Sequence, residues 1–212
     1  MGTRVFIACA ALEEDLRAAL GDMGVQGTVV PLRAALHLDT RALSAELDRV
    51  LAQECADGAE VAVIYGRCTP DIDEICSSHG VRRLPVENCY HLYLGDRYER
   101  HLRQDPGTYF LTDFLADNFE ELCIRGLGLD RHPKLKPLLF RHYRRAVFID
   151  TCGTGVTAAA KRAAGYLGLP LTRSPAKLDP FADVLRHAVK DQNDPEGGSD
   201  TAGAILATGG LP

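Results

Sequence analysis

The sequence predicts an α/β protein, a parallel-sheet βαβ sandwich with a helical insertion, and three observations predict it. Short β-branched runs alternate with Ala- and Leu-rich helical stretches, the signature of βαβ crossovers. The spacing between paired strands is nearly constant. The composition is that of a globular chain: 212 residues, 46% hydrophobic and 25% charged, large enough to bury a core without disulfides.

The first unit runs from Arg4-Val5-Phe6-Ile7-Ala8-Cys9 through a helix over about 12–21 to Thr28-Val29-Val30. The second runs from Val61-Ala62-Val63-Ile64-Tyr65-Gly66 through about 70–79 to a strand over Val81–Val86. The third runs from Ala146-Val147-Phe148-Ile149-Asp150 through about 155–167 to Leu169-Pro170-Leu171-Thr172. Val5 to Val29 and Val147 to Leu171 each span 24 positions and Val61 to Leu84 spans 23, which leaves open an internal repeat or simply three βαβ units of minimum length.

Between the first two units, Leu43, Leu47, Val50 and Leu51 mark the apolar stripe of a helix from about 40 to 55, capped by Asp39 or Thr40. An insertion over about 88–144 should hold three helices. Within it Pro106-Gly107 reads as a turn, Thr108 to Leu111 as an extended segment, and Thr112 or Asp113 as the cap of the next helix. Residues 131–145 carry Arg131, Lys134, Lys136, Arg141, Arg144 and Arg145 without an acidic partner after Arg131, either a solvated helix face or a docking patch for an acidic partner. A single domain over 1–189 is expected, followed by a mobile Gly- and Asp-rich tail over 190–212.

The net charge of −5 argues against a chain that must neutralise nucleic-acid phosphates or an anionic membrane. No apolar run approaches the ~20 residues of a membrane span, so a cytoplasmic location is expected. Seven cysteines without a CxxC pair then read as thiols, metal ligands or catalytic groups.

Ligands of parallel sheets bind outside the carboxyl ends of the strands, and this rule sorts the cysteines. Cys9, Cys68, Cys89 and Cys152 fall just beyond strand ends, whereas Cys55, Cys76 and Cys123 lie on helical stripes and read as small buried hydrophobes. The edge set admits three uses: packing, a single nucleophile, or a zinc or iron–sulfur site in which three thiolates leave one position open for a small-molecule substrate. Glu87 and His91 flank Cys89 and are candidate acid–base groups, as are Tyr109 and Thr112 if they face the site. Gly153, Thr154 and Gly155 form a Gly-rich strand-to-helix loop that would suit an anion, the basis of a phosphate-anchoring transferase reading.

The texts Pro106-Gly107-Thr108-Tyr109-Phe110-Leu111-Thr112-Asp113 and Gly126-Leu127-Gly128-Leu129-Asp130, with Ile7-Ala8-Cys9, Tyr65-Gly66-Arg67-Cys68 and Asn88-Cys89-Tyr90, resemble an uncharacterised bacterial and archaeal family, the domain of unknown function 1638. The resemblance covers about residues 4–175. It implies Cys9, Cys68 and Cys89 as the motif cysteines and leaves Cys152 outside the pattern. Because members are often encoded beside corrinoid-dependent methyltransferase components, it also implies a one-carbon context. In that setting the protein is either a cysteine-site enzyme or cofactor-handling protein, or an accessory protein docking on a corrinoid protein or methyltransferase. The sequence departs from the family pattern at Ala10 and at Thr69-Pro70-Asp71.

Overall fold

The computed structural model describes residues 3–176 together with 182, 185 and 186. The tail expected over 190–212 lies outside the described residues.

The chain forms two parallel sheets interleaved with helices. In the first, β1 (Arg4–Cys9), β2 (Thr28–Leu32), β3 (Glu60–Ile64) and β4 (Arg82–Arg83) lie in the order β2-β1-β3-β4. In the second, β5 (Thr108–Thr112), β6 (Arg145–Asp150) and β7 (Leu171–Pro175) lie in the order β5-β6-β7. Every pairing is parallel. The intervening helices are α1 (Glu13–Asp22), α2 (Thr40–Ala56), α3 (Ile72–Ser78), α4 (Cys89–Leu94), α5 (Asp96–Gln104), α6 (Asp113–Asp117), α7 (Lys136–Phe140) and α8 (Ala158–Leu167).

Burial explains why there are two sheets. A strand covered on both faces must be apolar at every position, and Ala146, Val147, Phe148 and Ile149 of β6 are all fully buried. Because successive side chains point to opposite faces, Val147 and Ile149 join the core of the first sheet while Ala146 and Phe148 meet the alanines of α8. Phe110 and Leu111 of β5 divide in the same way. The second sheet thus contributes one face to each of the two cores. Leu92, Tyr93 and Leu94 of α4 pack in the core shared by both sheets.

The helix caps resolve what the sequence left open. Asp39 caps α2, its carboxylate accepting from the Arg41 and Ala42 N–H groups. Thr112 caps α6, its hydroxyl accepting from Leu115 N.

Three expectations are corrected. The equal strand spacing does not survive in the register: Val5 pairs with Thr28, Ala62 with Arg82 and Ala146 with Leu171, offsets of 23, 20 and 25 positions. The three units share a plan and not a repeat length. The strand expected over Val81–Val86 is only two residues long. Pro85 has no N–H for a ladder, and Arg83 donates from one guanidinium nitrogen to the carbonyls of Tyr65, Leu84 and Val86 at 3.0, 2.6 and 2.9 Å. The basic segment 131–145 is not one helix face. Arg144 is tied to Asp105 at 2.6 Å, and Arg145 bonds the Thr108 hydroxyl and the His101 carbonyl, so both are structural. Among the described residues no helix is long and apolar enough to cross a membrane.

Candidate functional site

The register of the first sheet sets Ala8 beside Ile64, so the next residues, Cys9 and Tyr65, leave adjacent strands side by side at the carboxyl edge. The turn after β3 and the turn after β4 are pressed together at Gly66. A Cβ there would stand 2.5 Å from Asn88 Cα and 2.6 Å from the Glu87 carbonyl oxygen, a distance no side chain tolerates. Arg67 N–H donates to that same carbonyl at 2.8 Å. The close approach joins the loop bearing Cys68 to the loop bearing Cys89. Behind Cys68, Thr69 and Ser44 of α2 both donate to the Asp71 carboxylate, at 2.5 and 2.6 Å. The Thr69-Pro70-Asp71 departure from the family pattern therefore ties the Cys68 loop to α2.

These contacts make Cys9, Cys68 and Cys89 electrostatic neighbours of one another and of the Tyr65 hydroxyl. Burial is the main force on all three thiols, raising each above the ordinary cysteine value, Cys68 to about 11. Backbone N–H groups act in the opposite sense. Ala11 N donates to Cys9 Sγ at 3.4 Å, the Gly66 backbone opposes Cys68, and the backbone of Cys89 and Tyr90 opposes Cys89. Tyr65 is 1% exposed, and among the described residues its hydroxyl has no hydrogen-bond partner of regular geometry, the Cys9 thiol being the group it faces.

Two cavities open at this edge. One, of about 220 Å³, is lined by Cys9 and Cys89 together with His37, Tyr90, Cys123 and a ring of leucines. The other, of about 420 Å³, is lined by Glu13, Glu14, Asp15, Asp113, Asp117 and Cys152 among others. They share Ala11, Thr112 and Phe114 as a common wall.

Thr112, predicted as a site residue, lies on both cavities with its oxygen engaged as the α6 cap. Cys152 is exposed in the acidic cleft, where its charged neighbours are Asp113, Asp15 and Asp150. It lines a different cavity from Cys9 and Cys89. Glu87, His91 and Tyr109 line neither cavity. The Glu87 side chain is exposed, 3.7 Å from Arg67. His91 stacks on Tyr98, with ring centroids 5.7 Å apart. Tyr109 turns its hydroxyl to Cys123 Sγ at 3.1 Å.

The loop holding Gly153, Thr154 and Gly155 is built around carboxylates. Asp150, its side chain fully buried, accepts from Thr154 N at 3.1 Å, Gly155 N at 2.9 Å and the Arg173 guanidinium at 2.7 Å. Asp113 accepts from the Thr151 and Cys152 N–H groups. The donors an anion would need are already engaged, which removes the basis for the phosphate reading.

Sequence reasoning missed two pocket residues. His37 sits on a short 3-10 segment, Ala34–Leu38, with no periodic or motif signal. Its Nδ1 lies 3.0 Å from the Ala34 carbonyl, and its ring stacks on Tyr65. Cys123 was expected as core. It is buried, but the segment Glu120–Arg125 is a π-helix, and its wider turn brings Leu122 and Cys123 together onto the cavity.

A parallel α/β scaffold presenting one buried and two half-buried cysteines at its carboxyl edge is the class of protein this geometry defines. The chain belongs to the family described as "Protein of unknown function (DUF1638)", whose model matches residues 31–185. Cys68 and Cys89 fall within that match and Cys9 precedes it. No curated protein and no solved structure matches the chain.

Proposed function

We propose that Cys9, Cys68 and Cys89 hold a thiophilic metal centre, a zinc ion or an iron–sulfur cluster, with one coordination position open to a small-molecule substrate. The observation that carries this reading is the Tyr65 hydroxyl, buried against the Cys9 thiol and, among the described residues, without a hydrogen-bond partner of regular geometry. An unsatisfied buried hydroxyl costs about 1–3 kcal/mol. Neutral thiols are weak acceptors, whereas metal-bound thiolates are strong ones, so ionising the sulfurs would satisfy the hydroxyl. The N–H groups opposed to each sulfur stabilise the same ionised state, and hydrogen bonds to sulfur are how proteins tune thiolate-held metals.

Among the described residues no three His, Cys, Asp or Glu side chains already form a metal-binding group. Binding is therefore coupled to closure of the thiols and to loss of their protons. The bound centre would supply Lewis acidity, and a cluster would add electron transfer. A single nucleophilic cysteine is the weaker reading, because the nucleophile is the thiolate and burial raises all three thiols. The one-carbon, corrinoid-linked setting rests on the family resemblance, and a reducing, cytoplasmic compartment suits the free thiols. Anaerobic purification with metal and sulfide analysis tests the proposal. It predicts a stoichiometric centre lost in Cys68→Ser and Cys89→Ser, and a protein without metal or sulfide after reconstitution would end it.

A second reading, an accessory module docking on a corrinoid protein or methyltransferase, draws on one surface. Leu135, Leu138, Leu139 and Tyr143 are exposed beside Lys134, Lys136 and Arg141. Its test is co-sedimentation with such a partner, abolished by Leu138→Asp with Arg141→Glu. Arg144 and Arg145 are unsuitable targets because both hold the fold.

A further inference from the structure

The thiol site meets solvent through the smaller cavity, and the lining of that cavity defines what can enter it. Leu38, Leu115, Leu122 and Leu127 supply its walls with Phe114, and Cys9 and Cys89 lie on the same surface. Among the described residues His37 is the one basic side chain on it, and no aspartate or glutamate lines it. A carbonyl oxygen only accepts, so His37 Nδ1 donates its proton to Ala34 O and Nε2 is left as the acceptor of the neutral ring. The cavity of about 220 Å³ exceeds the ~150 Å³ void that accommodates benzene in an engineered protein core.

We infer that this cavity is the substrate-binding chamber of the thiol site and selects a small, uncharged, largely apolar molecule of benzene-like size with one hydrogen-bond donor directed at His37. The inference rests on the proposed metal site for its purpose but not for its occupancy, since the walls exist without a metal. A charged ligand would exchange water for leucine side chains with no opposite charge to meet it. The adjoining acidic cleft, across the shared wall of Thr112 and Phe114, further disfavours an anion.

Leu38 rests on Gly126, the residue that follows the π-helix, where a Cβ would stand 2.4 Å from Leu38 Cδ1. The fit of the outer wall therefore depends on that glycine.

The experiment is a titration of the full chain, followed by amide chemical shifts at pH 8, with benzyl alcohol, toluene, benzylamine and benzoate as probes of similar size. Saturable binding of benzyl alcohol is expected, with shifts at residues 34–38 and 122–127. Toluene should bind about fivefold more weakly, the loss of one net hydrogen bond of ~1 kcal/mol. The two charged probes should bind at least tenfold more weakly than benzyl alcohol. His37→Phe keeps the stack on Tyr65 and removes the nitrogens, so it should erase the difference between benzyl alcohol and toluene. Leu122→Trp should fill the cavity and abolish binding. The inference is overturned if charged probes bind as well as neutral ones, or if no neutral probe perturbs these residues in the wild-type chain. Metal and sulfide content measured on the same samples separates the two claims: a metal-free protein that binds benzyl alcohol sinks only the metal site, and a loaded protein that ignores every neutral probe sinks only the chamber.

Discussion

Gly66→Ala probes the contact that brings Cys68 and Cys89 together. The new Cβ would lie 2.5–2.7 Å from Asn88 Cα, the Glu87 oxygen and Asn88 N, all backbone atoms that no rotamer change can move. Restoring ordinary contact requires the two loops to part by about 1 Å. Overpacking of this kind costs ~1–3 kcal/mol. The same displacement stretches the 2.8 Å bond from Arg67 N to Glu87 O beyond useful length, adding ~1 kcal/mol. The expected loss is about 2–4 kcal/mol, or a fall in Tm of roughly 5–15 °C for a chain of this size. Urea denaturation with an unchanged m-value measures it, and the substitution should also weaken metal uptake. Gly165→Ala in α8 is the matched control. Nothing lies within 4 Å of its Cβ position and its φ is ordinary, so it should stabilise by about 0.5–1 kcal/mol. A Gly66→Ala protein within about 0.5 kcal/mol of wild type would refute the claim that backbone contact joins the two cysteine loops.

Three further outcomes follow from the same geometry. Arg83→Met leaves the Tyr65, Leu84 and Val86 carbonyls without their shared donor and should lower stability by about 3–5 kcal/mol in denaturant titration, as loss of a buried charged hub does. Asp150→Asn should cost a comparable amount and loosen the 150–157 loop in amide exchange. Burial alone would raise the Asp150 carboxyl, but the Gly155 N–H and Arg173 outweigh it and hold it below the usual aspartate range. The stability it contributes is therefore complete above the unfolded-state pKa near 3.8 and lost as pH falls through the lower folded value. Because all three thiols are held neutral up to or beyond pH 9, metal uptake must release their protons, and apparent affinity should rise about tenfold per pH unit for each thiol ionised. Calorimetry in buffers of different ionisation enthalpy counts those protons, and release of fewer than about one per metal would contradict thiolate ligation.

Much of this arrangement was legible in the chain. The runs at Val5–Cys9, Val61–Ile64 and Ala146–Ile149 are apolar at consecutive positions, which fits strands buried on both faces, and they fold as parallel strands. The strand-end rule selected Cys9, Cys68, Cys89 and Cys152; the first three lie among one another's electrostatic neighbours, whereas Cys152 lines the acidic cleft. What was not legible depends on partners distant in sequence. Arg83 ends β4 by reaching carbonyls of two turns, and Asp113 organises residues 151 and 152 from 38 positions away. No local pattern carries such contacts. Helical periodicity marked Cys123 as core, and it is buried there, but the π-helix that also sets it on the cavity departs from the period such a pattern can report. His37 has no flanking pattern at all, and its position on the cavity follows only from the return of the chain after β2.

X-ray absorption of the anaerobically reconstituted protein tests the central claim most directly. Three sulfur scatterers from this chain at about 2.3 Å from the metal are predicted for zinc, with one removed in each of Cys9→Ser, Cys68→Ser and Cys89→Ser. A metal shell made of nitrogen and oxygen alone, or a sulfur shell unchanged by these substitutions, would contradict it.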